Sequence, residues 1–192
     1  SQNVGPDVVV LSQAVYERVS QVHNLVEYRS MDTGEGGAVM MWALASSLRM
    51  PQDQIILIQS TFAKLLPVAE DVAEAFYSRL FELDPSLRPL FKSDLREQQR
   101  QWMATLQVVI GGLAAPEKII PAARELGKRH VAYGVRDEHY DTVGAALIDA
   151  LARGIGADFT PEVREAWGEM YDRISSAMKM AAAEIETCRL SA

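Results

Sequence analysis

Cysteine is nearly absent from this sequence, and its scarcity excludes several kinds of site. The 192 residues include one cysteine, Cys188, so no disulfide can form within the chain. A single thiol also excludes zinc sites built from clusters of cysteines. Few cysteines and no disulfide are typical of proteins from a reducing compartment, and we therefore expect a cytoplasmic location.

Basic blocks and long apolar runs are also missing. The formal net charge is −7, and no cluster of Lys and Arg interrupts the acidic balance. An acidic chain of this kind is not expected to bind nucleic acid or an anionic membrane surface. The most apolar stretch near the start, residues 38–48, is too short to span a bilayer, and we find no signal peptide before it.

Strand-like alternation of apolar and polar residues is absent too, and helical spacing takes its place after residue 50. The apolar positions predict seven helical segments: 52–66, 68–83, 84–91, 95–113, 117–133, 137–155 and 160–186. Gln52 and Asp53 are predicted to cap the first of them. Thr160 followed by Pro161 is a strong start signal for the last. The sequence therefore predicts an all-α domain over residues 51–192.

The first 50 residues carry no motif that we can identify. They contain a β-branched run at 8–10, a segment of helical potential at 13–29 and a glycine-rich break at 32–37, before Pro51 marks a boundary. A segment of this length is too short to fold comfortably alone. We interpret residues 1–50 as an N-terminal extension that covers or pairs with the main domain. Exchange of this extension between two copies of the chain would convert a monomer into a homodimer.

Histidine is scarce as well, but one of the three stands on an apolar helix face. Ile119, Ala123, Gly127 and His130 recur by steps of three and four, so they share one side of their helix, whereas His139 lies at the polar start of the next helix. A lone inward histidine is most often satisfied by a hydrogen bond in the core. A neutral imidazole in an apolar slot is also what the iron of haem requires as an axial ligand. His130 by itself leaves both interpretations open.

Two more polar residues lie on otherwise apolar helix faces. Tyr77 shares a face with Ala73 and Leu80, and Gln98 begins a stripe that continues through Trp102. A buried phenol needs a hydrogen-bond partner, either a backbone carbonyl of the core or a ligand. Gln98 either marks the solvent rim of its face or donates a hydrogen bond to a ligand.

Taken in order, these features resemble the globin family, and within it the bacterial single-domain haemoglobins and the haem domain of flavohaemoglobins. The likeness runs from about residue 55 to residue 186. It is carried by five stretches in the family's order: 75–81 (AFYSRLF), 84–91 (DPSLRPLF), 126–130 (LGKRH), 133–140 (YGVRDEHY) and 166–171 (AWGEMY). The resemblance implies the globin fold for residues 51–192, with helices A–H in a three-over-three sandwich around haem.

On one side of the haem, the resemblance assigns the residues that hold the iron. His130 matches the proximal ligand, and Phe91 matches the phenylalanine that packs on the porphyrin. Tyr140 and Glu184 match a proximal network that acts on the histidine, with Glu186 as the alternative if the helix register differs. A carboxylate on the far nitrogen of an axial histidine makes it a stronger ligand and lowers the iron potential.

On the other side, the resemblance assigns a distal group. Tyr77 and Gln98 match the pair that hydrogen-bonds bound dioxygen in the bacterial relatives. Trp102 takes the position that closes the distal pocket, where a smaller aliphatic residue is usual. Hydrogen bonds from Tyr and Gln to a partly anionic ligand predict slow release of dioxygen.

The cofactor implied is non-covalent haem b, because the sequence has no Cys-x-x-Cys-His motif for covalent attachment. Reversible binding of dioxygen is the first function we expect, with nitric oxide and carbon monoxide as further ligands. A first alternative is oxidation of nitric oxide to nitrate, which flavohaemoglobins perform with a fused reductase. We expect that this chain would need a separate reductase partner. A second alternative is a gas or redox sensor acting through the N-terminal extension.

Overall fold

The computed structural model describes residues 49–91 and 94–190, without the side chains of 186 and 188–190. In these ranges every regular element is helical, and the predicted all-α class is confirmed. The α-helices are α1 (Gln52–Leu65), α2 (Ala69–Leu83), α3 (Leu95–Gly112), α4 (Pro116–Ala132), α5 (Asp137–Ile155) and α6 (Pro161–Leu190). Short 3₁₀ turns occur at Leu66–Val68, Pro85–Leu90 and Gly156–Asp158.

Most of the predicted extension lies outside the described residues. Only its last two residues are described, and of these Met50 is buried against the core with 5% of its surface exposed. The division between an extension at 1–50 and a domain at 51–192 therefore stays a prediction. None of the helices in the described ranges is long and apolar enough to cross a membrane.

Local signals explain where two of the helices begin. α6 begins at Pro161, as predicted, and the hydroxyl of Thr160 accepts a hydrogen bond from the backbone N–H of Val163 at 3.4 Å. At the start of α3, the carboxylate of Asp94 accepts bonds from the first backbone N–H groups of the helix. Both side chains satisfy donors that a helix N-terminus leaves without an internal partner.

The predicted cap of α1 was wrong. The helix begins immediately after Pro51, which holds the cap position without a side-chain hydrogen bond, and Gln52 and Asp53 already lie inside the first turn. Asp53 therefore stabilises the helix through its negative charge near the positive end of the helix dipole, and not as a cap.

The core is built mainly from pairs of helices that pack side by side. α4 packs along α6, and α2 packs along α5, and these are the most extensive contacts in the described part of the chain. Trp167 of α6 is fully buried, and its indole N–H donates to the hydroxyl of Thr61 on α1 at 3.0 Å. This bond satisfies a buried donor that would otherwise cost free energy.

Gly127 allows α4 and α6 to approach closely. A Cβ atom at this position would lie 2.3 Å from the backbone oxygen of Met178, well inside van der Waals contact. Only glycine fits, because the obstacle is backbone and cannot rotate away. His130 lies about one turn further along α4, so this crossing also sets how close the histidine comes to α6.

Candidate functional site

A largely apolar cavity of about 180 Å³ lies where the end of α4 meets α5 and α6. Three of the residues predicted from the sequence line it, namely Phe91, His130 and Tyr140. The other lining residues are mostly aliphatic or aromatic: Leu87, Leu90, Tyr133, Val135, His139, Val143, Tyr171, Ile174, Ser175 and Met178. All three belong to the predicted proximal group, whereas Glu184 and the predicted distal residues are not among the lining residues.

His130 is held by Tyr140. Its Nδ1 atom lies 3.0 Å from the phenol oxygen of Tyr140. Burial lowers the pKa of His130 to about 4, so the imidazole is neutral near pH 7. When Nδ1 carries the proton and donates to the phenol, the lone pair of Nε2 is left for a ligand on the cavity side.

Tyr140 is held in turn by Tyr171 of α6. The phenol of Tyr171 donates a 2.5 Å hydrogen bond to the backbone oxygen of Tyr140. Burial raises the pKa of Tyr140 to about 12 and raises that of Tyr171 as well, so both phenols keep their protons near neutral pH. Gly144 lets the Tyr171 ring come close, since a Cβ there would lie 2.7 Å from that ring.

The predicted distal residues form a separate aromatic cluster. The indole of Trp102 stacks on Phe76, with 4.1 Å between ring centroids and 13° between planes. Tyr77 meets Phe76 edge-on at 5.1 Å and Phe91 edge-on at 5.5 Å. Phe91 therefore touches both groups, since its ring contacts Tyr77 and it also lines the cavity beside His130.

Tyr77 and Gln98 are both buried, and the structure brings them together. Gln98 is 2% exposed, so it does not mark a solvent rim. The phenol oxygen of Tyr77 lies 3.5 Å from the backbone oxygen of Gln98, which is the outer limit of a hydrogen bond. Burial raises the pKa of Tyr77, which keeps the phenol a donor. A bond this long is weak, so turning the hydroxyl towards a ligand costs little.

Glu184 lies elsewhere in the structure. Its carboxylate accepts a 2.6 Å hydrogen bond from Arg124 of α4, and it is 41% exposed. It is not among the residues that line the cavity, and the described partner of His130 is Tyr140. The side chain of Glu186 falls outside the described residues. A carboxylate acting on His130 therefore stays a prediction.

His139 is a cavity residue that sequence reasoning missed. The sequence places it at a polar helix start, but it is 6% exposed and lines the cavity. Its Nδ1 accepts a hydrogen bond from the backbone N–H of Arg136 at 3.1 Å. In a capping box, the side chain at the third helix position bonds to the backbone N–H of the cap residue in the same way. The signal was present in the spacing from Arg136, although the usual pattern has Glu or Gln at that place.

This donor set fits haem. A flat, mostly apolar ring system needs apolar walls, and its iron needs one neutral imidazole. The cavity supplies both, because His130 faces aliphatic and aromatic neighbours and its Nδ1 is already bonded to Tyr140. The aromatic cluster of Phe76, Tyr77 and Trp102 stands beyond Phe91.

Comparison with known proteins supports the same conclusion. Residues 74–178 match the globin family. The chain is 34% identical over 128 residues to a flavohemoprotein of Xylella fastidiosa (strain 9a5c), covering 65% of this chain and 32% of that protein. It is 31% identical over 126 residues to a flavohemoprotein of Bacillus subtilis (strain 168), covering 64% and 32%. The chain thus spans about a third of the length of these relatives.

A solved structure has a similar fold. The bacterial globin from Campylobacter jejuni superposes with a TM-score of 0.60 at 22% sequence identity, and the match covers 71% of this chain and 99% of that one. The predicted three-over-three helical sandwich is therefore confirmed as a fold.

Proposed function

The chain belongs to the globin family, and from that premise we propose that it binds haem b through His130 and holds dioxygen reversibly on the face opposite the histidine. Family membership supports a haem cofactor and the binding of diatomic gases in general. The haem type, the individual residues and the preference for dioxygen are our proposal.

The observation that carries the proposal is the His130–Tyr140 pair at the wall of an apolar cavity. A histidine that was merely satisfied in the core would need no cavity beside it. Here Nδ1 lies 3.0 Å from the Tyr140 phenol, and when Nδ1 carries the proton and donates to that phenol, the other ring nitrogen keeps its lone pair for a ligand. An axial histidine whose far nitrogen is anchored in this way has a fixed tautomer and orientation.

Haem, when bound, supplies the iron at which a diatomic gas binds. The contribution of the chain on that side is the group formed by Tyr77, Gln98 and Trp102. Tyr77 donates a hydrogen bond to a partly anionic ligand, and Gln98 lies beside it in a buried setting that excludes competing water. Trp102 restricts the volume, since its ring is stacked flat on Phe76.

The test is the visible absorption spectrum of the full chain in the ferric, ferrous and ferrous carbon-monoxide states, beside the same spectra of His130→Ala. We expect a globin-like set from the wild-type chain and its collapse in the variant. Added imidazole should restore part of the spectrum by filling the space that the side chain left. Failure of the wild-type chain to take up haem, or a spectrum that the variant leaves unchanged, would overturn the proposal.

Oxidation of nitric oxide to nitrate is the second candidate, and the similarity to flavohemoproteins favours it. A reductase would have to restore the ferrous state after each turnover. The oxygenated chain should be mixed with nitric oxide, and nitrate counted per haem with and without an added flavin reductase. If only one nitrate forms per haem even when the reductase is present, the chain does not turn over repeatedly, and reversible binding remains the proposed function.

A further inference from the structure

We propose that Lys179 is a positioning residue of the proximal side, whose ammonium over the Tyr140 ring weakens the phenol as an acceptor for His130 and so raises the redox potential of the haem-loaded chain. The inference rests on the proposed function, because it concerns the tuning of the same axial histidine. Lys179 belongs neither to the predicted proximal group nor to the residues that line the cavity.

The contact between Lys179 and Tyr140 is a cation–π contact. Nζ of Lys179 lies 5.4 Å from the centroid of the Tyr140 ring. The negative face of an aromatic ring attracts a cation at distances up to about 6 Å. The side chain of Lys179 is 29% exposed, so most of it is packed against the protein. Salt therefore screens this charge less than it screens a charge on an open surface.

Helix α6 contacts Tyr140 at two points. Tyr171 and Lys179 lie about two turns apart on one side of the helix, where both reach α5. The Tyr171 phenol holds the backbone of Tyr140, and Lys179 covers its ring. The same ring meets the His130 imidazole with 5.7 Å between centroids, and its hydroxyl lies 3.0 Å from Nδ1. Tyr140 thus connects a partly exposed charge with the candidate axial ligand.

The ammonium raises the potential in two ways. A cation at the face of an aromatic ring attracts its electrons, so the Tyr140 oxygen becomes a poorer acceptor. When Nδ1 of His130 donates to that oxygen, a poorer acceptor leaves the imidazole a weaker electron donor, which favours the ferrous state. The positive charge also favours the ferrous state directly, because ferrous iron carries one positive charge fewer than ferric iron.

Two carboxylates of α5 oppose the ammonium. Asp141 pairs with Lys179 at 3.4 Å, but its side chain is 84% exposed, so solvent screens the pair and the charge of Lys179 is only partly offset. Burial, and after it the negative charge of Asp137, raises the pKa of the Tyr140 phenol to about 12. Removal of the ammonium therefore leaves negative charge beside the phenol, which strengthens it as an acceptor.

The test is spectroelectrochemistry of the haem-loaded full chain beside Lys179→Met, which removes the charge and keeps an unbranched side chain. We expect the ferric-to-ferrous ratio at a fixed applied potential to rise by about two- to fivefold, the range for a cation–π contact at a partly exposed site. Lys179→Arg keeps the charge and should stay near the wild-type ratio. Lys64→Met is the matched control, because Lys64 also pairs with an aspartate but lies on α1, and it should change nothing.

The comparison is repeated in the Tyr140→Phe background, where the ring remains but the acceptor is gone. The effect of Lys179→Met should then fall by at least half, which leaves only the direct action of the charge. Three results would overturn the inference: an unchanged or lower ratio in Lys179→Met, an equal change in Lys179→Met and Lys179→Arg, or a full effect of Lys179→Met without the phenol.

A measurement on the chain without haem separates this inference from the proposed function. The tyrosine doublet in ultraviolet resonance Raman spectra reports the hydrogen bonding of a phenol, and the difference from Tyr140→Phe isolates the signal of Tyr140. We expect Lys179→Met to change this signal and Lys64→Met to leave it as it is. No change in Lys179→Met overturns the inference. A chain that shows the change but takes up no haem overturns the proposed function, and with it the effect on the potential but not the effect on the phenol.

Discussion

The two sides of the candidate pocket are built by different means. On the proximal side, hydrogen bonds connect His130 to Tyr140 and Tyr140 to Tyr171, and an open cavity lies beside them. On the distal side, ring packing dominates, with Trp102 stacked on Phe76, and none of the predicted distal residues lines the cavity.

The difference indicates which of two steps, assembly of the haem site or gas exchange, the structure is already arranged for. Hydrogen bonds fix direction, so the proximal side presents its imidazole in one orientation before any cofactor binds. Aromatic packing is less directional and can rearrange, so the distal side can adjust to a ligand at modest cost. We therefore expect changes on the proximal side to affect assembly of the site, and changes on the distal side to affect rates of gas exchange.

The largest effect should come from Gly127→Ala, which breaks the proximal side. The added Cβ would lie 2.3 Å from the backbone oxygen of Met178, so α4 and α6 must separate. We expect the free energy of unfolding of the chain without haem to fall by about 2–4 kcal/mol, as for overpacking against a rigid obstacle. Urea denaturation checks the stability, and the haem content after reconstitution checks the site.

Gly168→Ala is the matched control for this change. Gly168 lies within α6, and a Cβ added there would meet no atom within 4 Å. Alanine should therefore stabilise the helix by roughly 0.5–1 kcal/mol. Equal effects of the two substitutions would show that the close crossing at Gly127 does not constrain the proximal side.

On the distal side, Tyr77→Phe should have the next largest effect. Loss of a hydrogen bond to a charged ligand is worth about 1.5–3 kcal/mol, so the dissociation rate of dioxygen should rise by about ten- to a hundredfold. Stopped-flow measurement of dioxygen release gives the rate directly. Tyr171→Phe, which changes a phenol on the proximal side, should leave it within about twofold. An unchanged rate in Tyr77→Phe would remove the phenol from the distal role.

Trp102→Leu should have a smaller effect, and it should change the rate of ligand entry instead of the rate of ligand release. Trp102 is stacked on Phe76, and an aromatic pair contributes about 0.5–1.5 kcal/mol, which would oppose entry of a ligand if the indole closes the distal pocket as proposed. Association of carbon monoxide after flash photolysis should therefore become about two- to tenfold faster. A slower association in the leucine variant would mean that the indole does not block the path.

Helix positions and the order of the candidate residues follow from the sequence, because apolar spacing and capping residues act locally. α5 occupies 137–155 in both the prediction and the structure. The partner of a polar side chain depends instead on which helices cross, and spacing along one helix does not reveal that. His139 illustrates the limit: its place near the start of a helix indicates exposure, but the crossing of the helices buries it.

The same limit applies to Tyr77 and Glu184. The sequence left the partner of Tyr77 open, and the structure places the backbone oxygen of Gln98 at 3.5 Å. It predicted Glu184 in a network on His130, whereas the structure places it beside Arg124, which belongs to another helix. A charged side chain pairs with an oppositely charged group that lies close to it in space. Because Arg124 lies on a different helix from Glu184, a motif within the helix of Glu184 does not predict this pair.

The smallest effect we expect is that of Tyr140→Phe on the redox potential of the haem-loaded chain. Nδ1 of His130 lies 3.0 Å from the Tyr140 phenol, and an axial histidine would donate from Nδ1 to it; loss of this acceptor makes the imidazole a weaker electron donor, which favours the ferrous state. A neutral hydrogen bond contributes about 0.5–1.5 kcal/mol, so spectroelectrochemistry should give a rise of no more than about 65 mV. Glu184→Gln should leave the potential unchanged, because that carboxylate is paired with Arg124. A larger shift in Glu184→Gln than in Tyr140→Phe would mean that the carboxylate reaches the histidine, and that the proximal side is tuned by a charge and not by a phenol.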